Sequence, residues 1–336
     1  MTDGQILGID IGGTKLAVGL ATPEGGLLAR ERRPSGMVDG PDAVIGRVVE
    51  MARAVISEAG TGAGEVTRIG IGCGGPLDPW RGVVLNALNN AGWIDIPLTD
   101  RLSDALGAPA YLDNDANAAA LGEHRFGAGR GTANMVYLTV STGVGGGVIA
   151  GGRLLRGENG NAAELGHLTV DAHGRPCQCG SVGCLEAYAS GTNIAARARE
   201  ALAACDEPSR LRSGPVADLT AADVSAAAEA GDPLAARVWS ETTTLLGAGI
   251  SSMIHAFNPS LVVLGGGVTA AGDLLLGPVR RAAAERTMPW LHEVVRIVPA
   301  ELGDRAGILG AVAVALDGPR TLAERPTSHV HGRTDA

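Results

Sequence analysis

Two β-rich apolar runs in residues 5–22, QILGID and KLAVGLAT, flank a Gly-Gly turn, which is the pattern of a hairpin. Leu27 to Arg33 offers a third strand. Between residues 41 and 59, Val44, Ile45, Val48, Val49, Ala52, Val55 and Ile56 recur at helical spacing, and Gly60 ends the run. A strand at Val66–Gly72 gives way to an irregular Gly/Pro stretch reaching residue 92. Thr99–Leu106 then reads as a short helix, Ala110–Leu112 as a strand and Asp113–Glu123 as an Ala-rich helix.

The second half repeats the opening. Asn134–Val140 is a strand that passes through Ser-Thr-Gly-Val-Gly-Gly-Gly into Val148–Ala150, a second glycine-turn hairpin. Residues 151–190 carry no period. Beyond them the chain is mostly helical: Thr220 with Asp223 resembles a capping box, and Asp232-Pro233 opens a helix to about Phe257. Ser260–Leu264 is an apolar strand ending in Gly265-Gly266-Gly267. A helix, a strand (Val294–Val298) and a last helix (Arg305–Leu316) follow. Residues 319–336 are polar and patternless, the signature of a disordered tail. Strands mixed with helices in two similar halves predict an α/β protein of two lobes, with a ligand cleft between them.

Composition narrows the class. With 336 residues, 45% of them hydrophobic and only 3% aromatic, the chain should fold around aliphatic cores. Glycine, at 51 residues, is in excess and clusters after apolar runs, where backbone can approach a ligand. A net charge of −9 disfavours nucleic acid and anionic membrane as partners. Five cysteines are too few for a disulfide framework. No uninterrupted apolar stretch is long enough to cross a bilayer, and Asp3 stands where a signal peptide would be basic. These features predict a soluble, cytoplasmic protein. The 27 cations comprise 26 Arg and a single Lys, Lys15.

That lysine closes the turn Asp10-Ile11-Gly12-Gly13-Thr14-Lys15. Backbone N–H groups freed by two glycines, a hydroxyl and a compact ammonium suit a phosphate, and Asp10 suits Mg²⁺. A P-loop is excluded because Leu16 follows the lysine; Gly70, Gly72 and Gly75 form a G-x-G-x-x-G, but Pro76 follows and not a helix. Cys177, Cys179 and Cys184, with His167 upstream, have the donors of a closed structural zinc site; His173 is the rival fourth ligand. Asn114-Asp115 stands where a strand meets a helix. Asp115 there is either a helix cap or a carboxylate projecting into a cleft as a base. Glu164 and Glu186 flank the cysteine loop.

Together these residues resemble the ROK family of sugar kinases, within the actin/hexokinase/Hsp70 superfamily, over roughly residues 5–317. Glu164-Leu165-Gly166-His167 and the run from Cys177 to Glu186 are similar to its E-x-G-H and C-x-C-G-x-x-G-C-x-E signatures. Asp10–Lys15 resembles the first phosphate motif, Ser141–Gly147 the second, and Val263–Gly267 the adenosine motif. Ala163 departs from the glycine usual before the E-x-G-H glutamate, a change expected to alter the loop only slightly.

The resemblance implies a two-lobed actin-like ATPase (ribonuclease H-like) fold with an inter-lobe cleft and a zinc-bound loop. Its lobes would be residues 1–119 with 305–318, and 120–304 with the zinc loop at 167–186. It implies an ATP-dependent hexose kinase, with glucose phosphorylated at the 6-hydroxyl. Asp115 would be the base. Gly75, Asn89, Asn114, Glu164, His167 and Glu186 would bind sugar, with Asn86 and Asn90 close to Asn89 in sequence. Asp10, Gly12, Gly13, Thr14, Lys15, Thr142, Gly143, Gly265, Gly266 and Gly267 would hold ATP and Mg²⁺, and His167, Cys177, Cys179 and Cys184 a structural Zn²⁺. Lobe closure on the sugar would keep water from ATP. N-acetylmannosamine, N-acetylglucosamine, mannose and fructose are alternative acceptors, and the family implies a homodimer or homotetramer. Its sugar-responsive repressors carry a helix-turn-helix before the kinase-like part; here the first strand is expected near residue 5, and the acidic charge disfavours DNA.

Overall fold

The computed structural model describes residues 4–86 and 92–323. Asn89 and Asn90 lie outside them. The chain divides into two units. The first comprises residues up to Gly127, the segment Leu154–Ala163 and the chain from Leu302 onward; the second comprises Ala128–Arg153 and Glu164–Glu301.

The first unit contains β1 (Gln5–Ile11), β2 (Lys15–Ala21), β3 (Leu27–Pro34), α1 (Pro41–Glu58), β4 (Val66–Cys73), β5 (Leu77–Asp78), β6 (Val83–Asn86), β7 (Ile94–Pro97), α2 (Leu98–Leu106), β8 (Ala110–Asn114) and α3 (Asp115–Phe126). The second contains β9 (Met135–Val140), β10 (Val144–Ala150), the short β11 (Arg153–Leu154, at its edge), α4 (Glu186–Ala189), α5 (Gly191–Ala204), α6 (Ala221–Glu229), α7 (Pro233–Phe257), β12 (Leu261–Gly265), α8 (Asp273–Ala284), α9 (Pro289–His292) and β13 (Arg296–Pro299). The chain then returns to the first unit as α10 (Ala306–Ala323).

Each unit is built on a five-stranded sheet, ordered β3-β2-β1-β4-β8 in the first and β11-β10-β9-β12-β13 in the second. Both place an antiparallel glycine-turn hairpin, β1–β2 or β9–β10, beside two parallel strands. Ligand groups in such sheets gather beyond the C-terminal ends of the parallel strands. Register fixes which residues meet there. In the first unit Ile11 pairs with Cys73 and Cys73 with Asn114, so the turns after β1, β4 and β8 emerge on one edge. In the second, Gly265 pairs with Thr139, which puts the turns after β9 and β12 side by side.

The aliphatic bias predicted from composition is realised in the cores. Val44, Val48, Met51 and Val55 of α1 cluster with Leu7, Ile9 and Leu20 of the sheet. On the opposite face α10 lies directly on β1 and β4, and glycine is what permits the approach: a Cβ on Gly70 would lie 1.7 Å from the Ala311 carbonyl oxygen. Helices α3 and α10 meet through Gly122 and Gly310, where a Cβ on Gly122 would lie 2.9 Å from Gly310 Cα. The helical span Gly303–Ala323 is long and apolar enough to cross a membrane; its packing on β1, β4 and α3 accounts for that apolarity.

Two expectations change. The stretch between β4 and α2 is not wholly irregular, because β5, β6 and β7 form a small antiparallel sheet over the buried side chains of Leu77, Val84 and Trp93. Strands this short carry no readable period. The last helix runs past Leu316 to Ala323 with Pro319 inside it, so residues 319–323 belong to α10 and not to a tail.

Candidate functional site

The turn between β1 and β2 is stitched from outside the hairpin. Gly12 N–H donates to the Lys15 carbonyl (3.0 Å), Ser35 N–H to the Thr14 carbonyl (3.0 Å) and Ser35 Oγ to the Gly13 carbonyl (2.7 Å). Ser35 is buried and is itself held by Arg47, which donates to its carbonyl. Carbonyls are thereby consumed, while Gly13, Thr14 and Lys15 stay exposed. Asp10, last but one in β1, abuts the first turn of α10: a Cβ on Gly307 would lie 2.1 Å from Asp10 Oδ2. Burial, then the charge of Asp115, pushes the Asp10 carboxyl up to about 6, against the pull of Lys15 and Arg32.

At the head of α3 the cap is Asn114, not Asp115. Asn114 Oδ1 accepts from Ala116 N (2.9 Å) and Asn117 N (3.3 Å). Asp115 is the first helical residue and is not needed as a cap, although its Oδ1 accepts from Ala116 N at 2.8 Å. It keeps contact with solvent, yet desolvation by the surrounding protein raises its carboxyl above the usual carboxylate range, with the Ala116 N–H pulling the other way. The group is therefore reachable and of increased basicity, the combination a proton acceptor requires.

Beneath this pair lies a buried ion pair. Arg156 Nε donates to Asp113 Oδ2 (2.9 Å) and Arg156 Nη2 to Asp317 Oδ2 (2.9 Å). Asp113 also accepts from Asn117 Nδ2 and from the backbone N–H of Asn114, both at 2.9 Å. Burial raises the Asp113 carboxyl, while Arg156 and these hydrogen bonds draw it back. Nearby, Asn161 brackets Leu77, accepting from its N–H (3.2 Å) and donating to its carbonyl (3.1 Å). This fixes the strand that follows Gly75 and the cis Gly75–Pro76 peptide. Arg156 and Asn161 lie in the segment Leu154–Ala163 that the first unit recovers from the middle of the chain.

In the second unit the turn Ser141–Gly143 is held by the chain after the cysteine loop. Gly191 N–H donates to the Ser141 carbonyl (2.7 Å), Thr192 Oγ1 to the Thr142 carbonyl (2.9 Å), and Val144 N–H to Glu186 Oε2 (2.8 Å). The turn opens on a cavity of about 690 Å³ lined by Ser141, Thr142, Thr192, Gly267, Trp239 and Leu274, among others. That volume suits a nucleotide-sized ligand. Gly265 and Gly266 directly precede its lining residue Gly267. Gly266 has φ +88, and a Cβ there would lie 2.3 Å from the Val140 carbonyl oxygen, so the close passage of β9 and β12 requires glycine.

The cysteine loop brings four donors together: one ligand atom each of His167, Cys177, Cys179 and Cys184, all within 4.8 Å of one another. Cys177 Sγ is 3.7 Å from His167 Nδ1, and Cys179 Sγ is 3.6 Å from Cys184 Sγ. Zn–S bonds of ~2.3 Å at tetrahedral angles place ligands ~3.8 Å apart, so the set fits zinc. His173, the rival ligand, is outside the cluster, its backbone N–H donating to Asp171. With Nδ1 on the thiol side, His167 Nε2 is left facing Glu164, 4.0 Å from its Oε2.

Residues named from sequence therefore gather as two sets. Asp10, Gly12, Gly13, Thr14, Lys15, Gly75, Asn114 and Asp115 share one edge of the first unit, and Thr142, Gly143, Gly265, Gly266, Gly267, Glu164, His167 and Glu186 belong to the second. Asn89 lies outside the described residues. Sequence reading missed Thr192, Trp239 and Leu274 of the cavity, and Arg156 and Asn161 beneath the first set. None stands in a motif; each reaches its place from a distant element.

Comparison with known proteins agrees with these features. The ROK family description matches residues 6–318, and the chain belongs to that family. It is 38% identical to a glucokinase of Thermotoga maritima, over 92% of this chain and 96% of that protein. Of solved structures, a ROK glucokinase of Streptomyces griseus in complex with glucose and AMPPNP aligns with a TM-score of 0.80 at 36% identity, covering 94% of this chain and 100% of that one. A ROK hexokinase of Thermus thermophilus aligns with a TM-score of 0.78 at 38% identity, over 94% and 99% of the two chains. The fold is thus that of the ROK sugar kinases, an actin-like ATPase fold.

Proposed function

We propose that the protein transfers the γ-phosphoryl group of ATP to the 6-hydroxyl of glucose, giving glucose 6-phosphate. The observation that carries this reading is the duplicated glycine-turn hairpin. One copy has Asp10, Lys15 and Asp115 on its edge, and the other opens on a nucleotide-sized cavity. Likeness to glucokinases along nearly the whole chain supports the choice of sugar.

In this reading Thr14, Lys15 and the N–H groups of Gly12 and Gly13 meet phosphate at one turn, and Thr142 and Gly143 at the other. Gly265, Gly266 and Gly267 border the adenosine. Asp10 would hold Mg²⁺, which neutralises phosphate charge when bound. Asp115 accepts the proton of the 6-hydroxyl as it attacks. Asn114, Asn89, Glu164, His167 and Glu186 bind the remaining hydroxyls, with the Gly75 backbone beside them. Asn114 has its Oδ1 committed to the cap, which leaves its Nδ2 as the donor to sugar. His167, Cys177, Cys179 and Cys184 would hold a Zn²⁺ that orders the loop and fixes the imidazole with Nε2 toward Glu164. Phosphoryl transfer needs alignment above all, and holding two substrates in line supplies ~7–11 kcal/mol of the barrier. With the reading go a cytoplasmic setting, matching five free cysteines, and a homodimer or homotetramer.

A coupled ADP-release assay with ATP over glucose, mannose, fructose, N-acetylglucosamine and N-acetylmannosamine tests it. Glucose should give the highest kcat/KM. Absence of ADP release with every sugar would end the kinase reading, and preference for an N-acetylated sugar would replace glucose.

A further inference from the structure

Glu186 faces two tasks. Its place in the C-x-E motif makes it a sugar ligand in the reading above, on which this inference rests. Its Oε2 is already occupied, accepting the backbone N–H of Val144 at 2.8 Å. Val144 directly follows the turn Ser141–Gly143, and the carboxylate lies so close that a Cβ on Gly143 would come within 2.7 Å of Oε2. Val144 is also where the other sugar motif lands: a Cβ on Gly166, within Glu164–His167, would lie 2.0 Å from the Val144 carbonyl oxygen. The backbone of the Glu186 segment is equally committed. Asn193 Nδ2 donates to the Glu186 carbonyl (3.0 Å), and Gly191 and Thr192, a few residues on, grip the Ser141 and Thr142 carbonyls.

We propose that Glu186 couples the two substrates, one carboxylate oxygen fixing the nucleotide-phosphate turn while the other engages the sugar. An anionic acceptor makes the stronger hydrogen bond to Val144 N–H, and a sugar that holds the carboxylate in one rotamer holds that bond as well. Sugar binding then tightens nucleotide binding, and linkage requires nucleotide to tighten sugar by the same factor. Glu186 is in this respect a positioning residue for the turn.

The test is calorimetric titration of Mg·ADP into the full-length zinc-loaded protein, with and without saturating glucose. Wild type should bind ADP several-fold more tightly with glucose. Glu186→Ala should weaken ADP binding about tenfold without sugar, the loss of one charge-assisted hydrogen bond, and show no glucose effect. Glu186→Gln keeps a carbonyl oxygen for Val144 N–H and should retain most ADP affinity while losing glucose affinity. Glu186→Asp, too short to reach, should behave as the alanine variant and stands in if that variant does not fold. Wild-type ADP affinity in Glu186→Ala or Glu186→Asp overturns the coupling, as does equal weakening in Glu186→Gln and Glu186→Asp. ADP binding is read without turnover, so a failed kinase assay strikes the proposed reaction and a failed titration strikes only Glu186.

Discussion

The charge of Asp115 is, after burial, the main reason the carboxyl of Asp10 is pushed up to about 6. Both stand on the edge where β1, β4 and β8 end, one beside the turn between β1 and β2 and one at the head of α3. Two carboxylates that disfavour each other's ionisation form a site that a divalent cation or an arriving proton relaxes.

A pH dependence follows, with opposite signs for stability and activity. Asp10 binds its proton more tightly in the folded protein, about 6 against an ordinary 3.8. Its contribution to stability is present at low pH and is lost as pH rises from about 4 through 6. In the proposed mechanism both groups act ionised, so activity should fall as pH drops through about 6. Thermal melts of metal-free protein and kcat/KM profiles over this range read the two effects. Asp10→Asn should flatten the stability trend and nearly abolish turnover.

Asp115→Asn keeps the shape of the residue and removes the carboxylate proposed as the base. We expect kcat to fall ~10²–10⁴-fold or more, with glucose Kd changed only a few-fold, because general-base catalysis acts in the transition state. Single-turnover kinetics beside calorimetry separate the two. Near-normal turnover would remove Asp115 from the role.

The four-donor cluster predicts one tightly held zinc per chain. Cys177→Ser should lower the zinc content measured by atomic emission and reduce the melting temperature. It should also raise glucose KM ~10–100-fold, since it loosens the loop that orients His167 and carries Glu164 and Glu186.

Arg156 is 7% exposed and spans Asp113 and Asp317. Removing it strands a buried carboxylate directly before Asn114, so Arg156→Ala should cost ~3–5 kcal/mol in denaturant unfolding. Arg156→Lys reaches only one partner and should lose part of this. In the double variant Arg156→Met with Asp113→Leu the loss should be smaller than for Arg156→Ala, because no unpaired charge remains at Asp113.

Ala163 has φ +65, a left-handed conformation costly for any residue with a Cβ. The backbone at this position is therefore strained. Ala163→Gly should stabilise the protein by ~0.5–1 kcal/mol, the relief of strain less the added freedom of the unfolded chain. A shift of the thermal midpoint upward checks this.

What the sequence by itself determined was local. A glycine turn between apolar runs is a local hairpin signal, so β1–β2 and β9–β10 were legible, as was the capping box of α6, confirmed in Thr220 and Asp223. Three cysteines within eight positions likewise announce a shared ligand, because so short a loop cannot keep them far apart. What only the tertiary structure decided was everything set by approach between distant segments. Asn114 rather than Asp115 caps α3. His167 rather than His173 joins the thiols. Leu154–Ala163 packs with the first unit, and Glu186 reaches Val144. Such choices depend on which side chains meet once sheets and helices are packed, and neither period nor spacing along the chain encodes that distance.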